Sequence, residues 1–479
     1  MGFSAANTEL WHPILQLGLL ASVLVLSNIL QRKVVFIRRL LMPTAVLGGL
    51  IALILRAIGL LEIDGALMEN ITYHTIALGF IALGLRLPKQ DQNAQHSREG
   101  LKSGILIVAT YLIQAVVGLV ITGTLAYTFM PGLFKASGIL LPMGYGQGPG
   151  QANNIGTTYE LSYGFTGGSS FGLAIATMGF LWACIGGVIY MNILIRRKRM
   201  LVPGERNKEL RISIGHFQDD DEIPMAESVD RMTIQLALVL LVYFATYLVS
   251  LALTDGLSAI PALSGMSQTL NSLVWGFNFV IGSLLALLLR NLLNALRSKK
   301  VMTRQYPNNY LLNRISGMIF DVMIIAGISA ININDLKGLW VPLILLSTAG
   351  GVVTLFYLKW ICKRLYPSFY YENFFALYGM LTGTVSTGIL LLREVDPDYS
   401  SPATNNLVTG TSFAILFGIP LLAFVGLAPQ SDLMYFISLG IIVLYGVGLH
   451  LLLLKTKLSR GKGAAQTTVA KTPTGTAEE

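Results

Sequence analysis

Apolar runs long enough to cross a bilayer recur eleven times along this chain, and that recurrence leaves few folds open to it. A hydrocarbon core of ~30 Å is crossed by ~20 apolar residues in a helix. Runs of this kind fall at roughly 13–31, 40–60, 71–87, 102–129 and 168–195, then at 232–253, 271–296, 312–331, 338–361, 404–426 and 432–454. Composition excludes a soluble alternative. Of 479 residues, 53% are hydrophobic and 12% charged, where a soluble domain carries about 25% charged residues to coat its surface.

The net charge of +9 reads as topology rather than nucleic-acid binding, because the basic residues cluster in short loops. Arg32, Lys33, Arg38 and Arg39 follow the first span, Arg86, Lys89, Arg98 and Lys102 the third, and Arg196, Arg197, Lys198 and Arg199 the fifth. Arg297, Lys299, Lys300 and Arg304 follow the seventh, and Lys359, Lys363 and Arg364 the ninth. The opposite loops hold Glu62, Asp64 and Glu69, or Asp255. The positive-inside rule then predicts an N-terminus outside and a C-terminal tail in the cytoplasm. No basic region precedes the first span, which reads as retained rather than cleaved. Cys184 and Cys362 lie in or at the end of predicted spans and give neither a disulfide framework nor metal-ligand spacing.

The alternation of loops holds only if two further segments enter and leave the membrane on one side. These are GYGQGPGQANNIGTTYE, Gly144 to Glu160, and YGMLTGTVSTGILLLRE, Tyr378 to Glu394. Both are too rich in Gly, Pro, Asn and Thr for a simple span. Irregular backbone at membrane depth survives only when buried in protein or lining a water-filled cavity. A matched pair of interruptions in two halves points to the binding site of a secondary transporter. The first is expected to dip from outside, within 134–160, and the second from the cytoplasm, within 372–400.

GGLIALILR at Gly48 to Arg56 recurs as GSLLALLLR at Gly282 to Arg290, identical at six of nine positions and 234 residues on. The same offset carries Ile155 to Ile389 and Glu160 to Glu394. Five spans per half is an odd number, so the second half is inverted relative to the first. The expected fold is an all-α polytopic membrane protein of two inverted repeats of five transmembrane helices, each with a re-entrant glycine-rich hairpin, plus an extra C-terminal helix. The N-terminal repeat occupies 1–195, a cytoplasmic central loop 196–230, the inverted repeat 231–428, and the extra helix and cytoplasmic tail 429–479.

Broken helices at membrane depth leave free N–H and C=O groups. N-terminal ends attract anionic groups, and unwound carbonyls coordinate Na⁺. Glycine lets backbone approach a ligand. The candidate substrate and ion ligands of the first hairpin are Gly146, Gln147, Gly148, Gly150, Gln151, Asn153 and Asn154; those of the second are Thr382, Gly383, Thr384, Ser386 and Thr387. Close helix packing by small residues is the alternative reading of both. Asp321, inside the eighth span, is an ion-ligand or proton-carrier candidate, with a pair to Arg314 as the alternative. Arg393 could meet a substrate carboxylate bidentately, or pair with Glu394 or Asp396. Na⁺ is placed near Asn154, Ser386 or Asp321. Gly48 and Gly282 read as packing glycines. No enzyme motif such as H-E-x-x-H occurs, and no metal or organic cofactor site is assigned.

At the first hairpin the chain resembles the bacterial glutamate:sodium symporter family. Gly146-Gln147-Gly148-Pro149-Gly150-Gln151-Ala152-Asn153 is similar to that family's Gly-His-Gly-Thr-Gly-Ala-Ala-Trp signature. Glu160 with Tyr163-Gly164-Phe165 resembles its Glu-Arg-Tyr-Gly-Phe continuation, and Pro43 with Gly48-Gly49 a Pro-x-x-x-x-Gly-Gly run in its second span. The resemblance runs from the first span to the tenth. Gln147, Pro149 and Asn153 depart from the signature, and the second hairpin lacks the family's Gly-Ala-Thr-Pro-Thr-Ala wording. The resemblance implies a two-domain inverted-repeat carrier in the inner or plasma membrane, moving glutamate or a related small carboxylate with Na⁺ as coupling ion. Proton-coupled transport of another organic anion and an ion channel remain as alternatives. The implied partners are the anionic solute and the lipid bilayer, without nucleic acid, and a homodimer is left open.

Overall fold

The computed structural model describes residues 4, 7–39, 41–87, 94–197, 225–259, 271, 274–302, 306–396 and 401–458, which form helices and turns with no strand among them. Residues 198–224 of the expected cytoplasmic central loop, 196–230, and the tail from 459 onward lie outside the described residues, and 225–230 already belong to a helix. The principal helices are α1 (Thr8–Lys33), α2 (Thr44–Ala57), α3 (Gly65–Gly84), α4 (Ala94–Thr128), α5 (Leu140–Gln147), α6 (Pro149–Tyr163), α7 (Gly168–Arg196), α8 (Met225–Ser258), α9 (Asn278–Ser298), α10 (Asn309–Ala330), α11 (Trp340–Leu365), α12 (Tyr370–Thr382), α13 (Val385–Val395), α14 (Ala403–Leu427) and α15 (Asp432–Leu458).

Every predicted span has its helix. Among the described residues nine are long and apolar enough to cross a membrane, while α2 and the Phe417–Leu427 part of α14 are shorter apolar helices. Polar caps start several of them. Asp64 accepts from the Leu67 amide at 3.1 Å and Asn308 from the Leu311 amide at 2.9 Å, satisfying amides that have no partner within the helix. His12 on α1 meets the Asp64 carboxylate at 3.0 Å and holds it below the usual carboxylate range.

The helices sort into two bundles. One packs α1, α2, α3, α8, α9 and α10 together, with α3 against α10 at its centre. The other gathers α4, α5, α7 and α11–α15, with α4 against α14 at its centre; α6 reaches from it onto α3 and α10. Contacts within the first bundle are reciprocal. Gly48 on α2 faces Ile325 of α10 and Ser27 of α1, and Gly282 on α9 faces Ile81 of α3 and Thr246 of α8. A Cβ on either glycine would come within 2.9 Å of the isoleucine it faces. Arg56, at the end of α2, donates to the carbonyls of Ser329, Ala330 and Ile331 at 3.0–3.3 Å, at the C-terminal end of α10. Arg290 on α9 donates to the carbonyl of Arg86, just past α3, at 3.2 Å. Cys184 and Cys362 are buried free thiols.

Candidate functional site

Each glycine-rich segment folds as two helices that double back. In the first, the Thr122 hydroxyl of α4 donates to Lys135 O at 2.6 Å and the Tyr111 hydroxyl to Gly146 O at 2.9 Å. The chain from 135 to 146 therefore runs antiparallel to α4. At Gly148 the backbone turns with φ +88° and ψ −175°, a region open in practice to glycine alone. Pro149 then starts α6, at the helix position where its missing N–H costs nothing. The returning leg ends where the first began, since the Phe134 ring lies 5.1 Å from Tyr159 and stacks on Phe165 at 4.9 Å.

The second segment repeats the plan. α12 ends at Thr382, Gly383 turns the chain with φ −145° and ψ −107°, Thr384 is extended, and α13 starts at Val385. The legs close on each other at Gly379 and Gly388, where a Cβ on Gly379 would lie 2.8 Å from Gly388 Cα and Thr387 O. Gln114 of α4 holds the tip by donating to Leu381 O at 2.9 Å. Near the base, Asn406 of α14 reaches Asn373 of α12 at 3.4 Å.

The two tips meet. A Cβ on Gly148 would come within 3.4 Å of the Thr384 methyl. Beside them, between the bundles, lies a cavity of about 150 Å³. The tips and their bundle contribute Tyr111, Gly146, Gln147, Gln151, Gly383, Thr384, Ser386 and Thr411; the other bundle contributes Phe80, Phe279, Phe320 and Met323. No charged side chain lines it among the described residues. Gln151 is 1% exposed, and its Oε1 has no hydrogen-bond partner.

The remaining candidates divide. Gly150 packs against Ile76 and Met323, so a side chain there would strike the other bundle. The Thr382 hydroxyl is spent on Tyr378 O at 2.7 Å, and Thr387 stands 3.4 Å from Thr384. Asn153 and Asn154 face a second cavity further along α6, of about 410 Å³, shared with Glu69, Thr157, Asn271 and Trp275. Asp321 and Arg393 are both brought elsewhere. Asp321 is exposed on α10, while its neighbours Phe320 and Met323 line the first cavity. Arg314 lies over the Tyr310 ring, 5.2 Å from its centroid, instead of pairing with Asp321. Arg393 is exposed in the last turn of α13, at the end away from the tip.

Glu160 and Glu394 also part company. Glu160 accepts from the amides of Gly167 and Ser169 at 3.4 and 3.3 Å, capping the start of α7. Glu394 is exposed; Asp396 accepts from the amide and hydroxyl of Ser401 ahead of α14. The aromatic wall of Phe80, Phe279 and Phe320 escapes sequence reasoning, because an aromatic in a span carries no mark of the face it presents.

Comparison with curated proteins and with solved structures gave no match. The family model described as sodium/glutamate symporter matches residues 14–370, which takes in the whole first hairpin and stops as α12 begins. That match covers well over half of the sequence, and by it the chain belongs to the sodium/glutamate symporter family, as a multi-pass membrane transporter and not an enzyme.

Proposed function

We propose that the protein is a secondary active transporter that carries glutamate or a related small carboxylate together with Na⁺. One observation carries the reading: the N-terminal ends of α6 and α13, from opposite halves of the chain, converge on one cavity between two bundles. Helix N-termini favour anions through their free amides and the helix dipole. Carbonyls where α5 and α12 end suit Na⁺. The apolar wall opposite excludes water, which strengthens each of these polar contacts. Membership of the sodium/glutamate symporter family supports glutamate as the cargo and Na⁺ as the coupling ion.

Both hairpins are re-entrant in this reading, which is supported by the way each returns to its own base. The two halves are inverted repeats, and support comes from the exchange of equivalent contacts by Gly48 with Gly282 and Arg56 with Arg290. The N-terminus outside and the tail in the cytoplasm follow from the basic loops. Alternating access is movement of the hairpin bundle against the other.

Uptake into proteoliposomes decides the matter. Labelled glutamate accumulates against its gradient when Na⁺ is high outside, and not with K⁺ in its place. Accumulation that ignores Na⁺ and follows ΔpH overturns the coupling ion. Flux without accumulation overturns the carrier.

A further inference from the structure

The second cavity, along α6, holds three oxygens with no hydrogen-bond partner: Asn154 Oδ1, Thr157 Oγ1 and Asn271 Oδ1. Asn154 is 3% exposed. Its amide nitrogen donates to Gly276 O at 3.0 Å, which fixes the side chain and leaves Oδ1 as the unspent group. Neighbouring oxygens are accounted for: Thr158 donates to Asn154 O at 2.8 Å, and Asn153 Oδ1 accepts from Ser169 at 2.9 Å. A buried acceptor left without a partner is costly, so three lining one cavity ask for a common partner.

The chemistry of the lining says what that partner is. Among the described residues it offers neutral oxygens and one carboxylate, Glu69, with no Lys, Arg, His or sulfur. Oxygen-only donor sets select hard cations, and a single carboxylate balances a single positive charge. Glu160 and Asp335 lie within electrostatic reach of Glu69, against one arginine, Arg56. That surplus of negative charge disfavours an anionic solute here.

We propose that Glu69, Asn154, Thr157 and Asn271 form a Na⁺ site on α6, separate from the cavity at the hairpin tips. It rests on the Na⁺-coupled reading above and gives the ion a place. The site joins the first hairpin to α3 and to the segment ahead of α9, so a bound ion ties one bundle to the other.

The test uses full-length protein in detergent, without solute, titrated with NaCl against KCl at constant ionic strength. Na⁺ raises the melting temperature and K⁺ does not, because a ligand of the folded state stabilises it. Trp275 lines the site, so Na⁺ also changes tryptophan emission, and W275F loses that change while keeping the thermal shift. T157V and N154A each raise the half-saturating Na⁺ by about tenfold, the equivalent of one lost charge-assisted contact, and T157S restores it. The T157V/T157S pair decides if N154A fails to fold. Unchanged Na⁺ titrations in T157V, N154A and N271A overturn this site and leave Na⁺-coupled uptake standing. An equal response to K⁺ overturns its identity as a Na⁺ site. A wild-type protein blind to Na⁺, whose uptake follows ΔpH, overturns the coupling reading and this site with it.

Discussion

At Gly148 the backbone itself demands glycine, whereas at Gly383 the neighbours do. The φ of +88° at Gly148 is closed to other residues, although the space beside it is open to ordinary contact. Gly383 has an unstrained φ of −145°, but a Cβ there would come within 3.1 Å of Gly379 O, Phe180 and Thr387. G148A is therefore expected to abolish uptake even though alanine is small, with normal insertion in the membrane. G383A is expected to reduce uptake partially and G383V to abolish it. Uptake per inserted molecule checks both, and normal uptake by G148A and G383V removes the tips from the mechanism. Gln151 makes a second prediction. Its unspent Oε1 faces the cavity and suits the ammonium of an amino acid. Q151L should raise the KM for glutamate by about tenfold, the loss of one hydrogen bond to a charged group. Inhibition by glutarate, which has both carboxylates and no ammonium, should not change. Equal loss for both compounds would assign Gln151 to packing.

Among the elements, Arg56 at the end of α2 and Arg290 within α9 tie the halves of the first bundle together. Arg56 meets three carbonyls at the C-terminal end of α10, and Arg290 one just past α3. Carbonyls at a helix C-terminus have no partner within the helix, and a guanidinium serves several at once. R56A is expected to cost about 2 kcal/mol, seen as a lower melting temperature, and R290A less. R56K should recover only part, since an ammonium lacks the planar fork. A melting temperature unchanged in R56A would show that these contacts are incidental. The sequence match of Gly48 to Arg56 with Gly282 to Arg290 marks two helices whose glycines each face an isoleucine and whose arginines each meet carbonyls of a neighbouring segment. The hairpins were legible in the sequence, since Gly, Pro and Asn cannot hide in a span. Which end cap follows each hairpin was not: the offset pairs Glu160 with Glu394, but Asp396 makes the contact, and a helix end slips by two residues without trace in composition. Asp321 and Arg393 stood out for their charge, and charge does not tell which way a helix is turned. The cavity's aromatic wall comes from three separate helices, and only packing brings them together.

For the whole molecule, transport of a solute requires the cavity to open first to one side and then to the other. The cavity lies between the bundles, and α6 is the hairpin leg that crosses from one to the other. What faces the crossing is small and apolar: Gly150 against Ile76 and Met323, and Gly327 against Pro149 and Leu173. At this end of α6 glycine and flat aliphatic surfaces pack closely without interlocking charges, while further along Asn153 and Asn154 donate to the carbonyls of Glu69 and Gly276, contacts that movement of one bundle over the other has to break. Covalent capture tests this directly. Changing Ile76 to cysteine removes the outer carbons that a side chain at 150 would strike but keeps a Cβ 2.7 Å from a Cβ at 150, so α3 and α6 have to part by about 1 Å to reach the ~3.8 Å between the Cβ atoms of a disulfide. C184S and C362S remove the native thiols from the background. In that background the I76C/G150C protein is expected to cross-link on oxidation in membranes and to lose uptake, and reduction should restore it. The single changes I76C and G150C report any cost of the substitutions themselves. A cross-linked protein that still accumulates solute would mean that α3 and α6 stay together through the cycle, and the moving boundary would have to be sought inside the hairpin bundle.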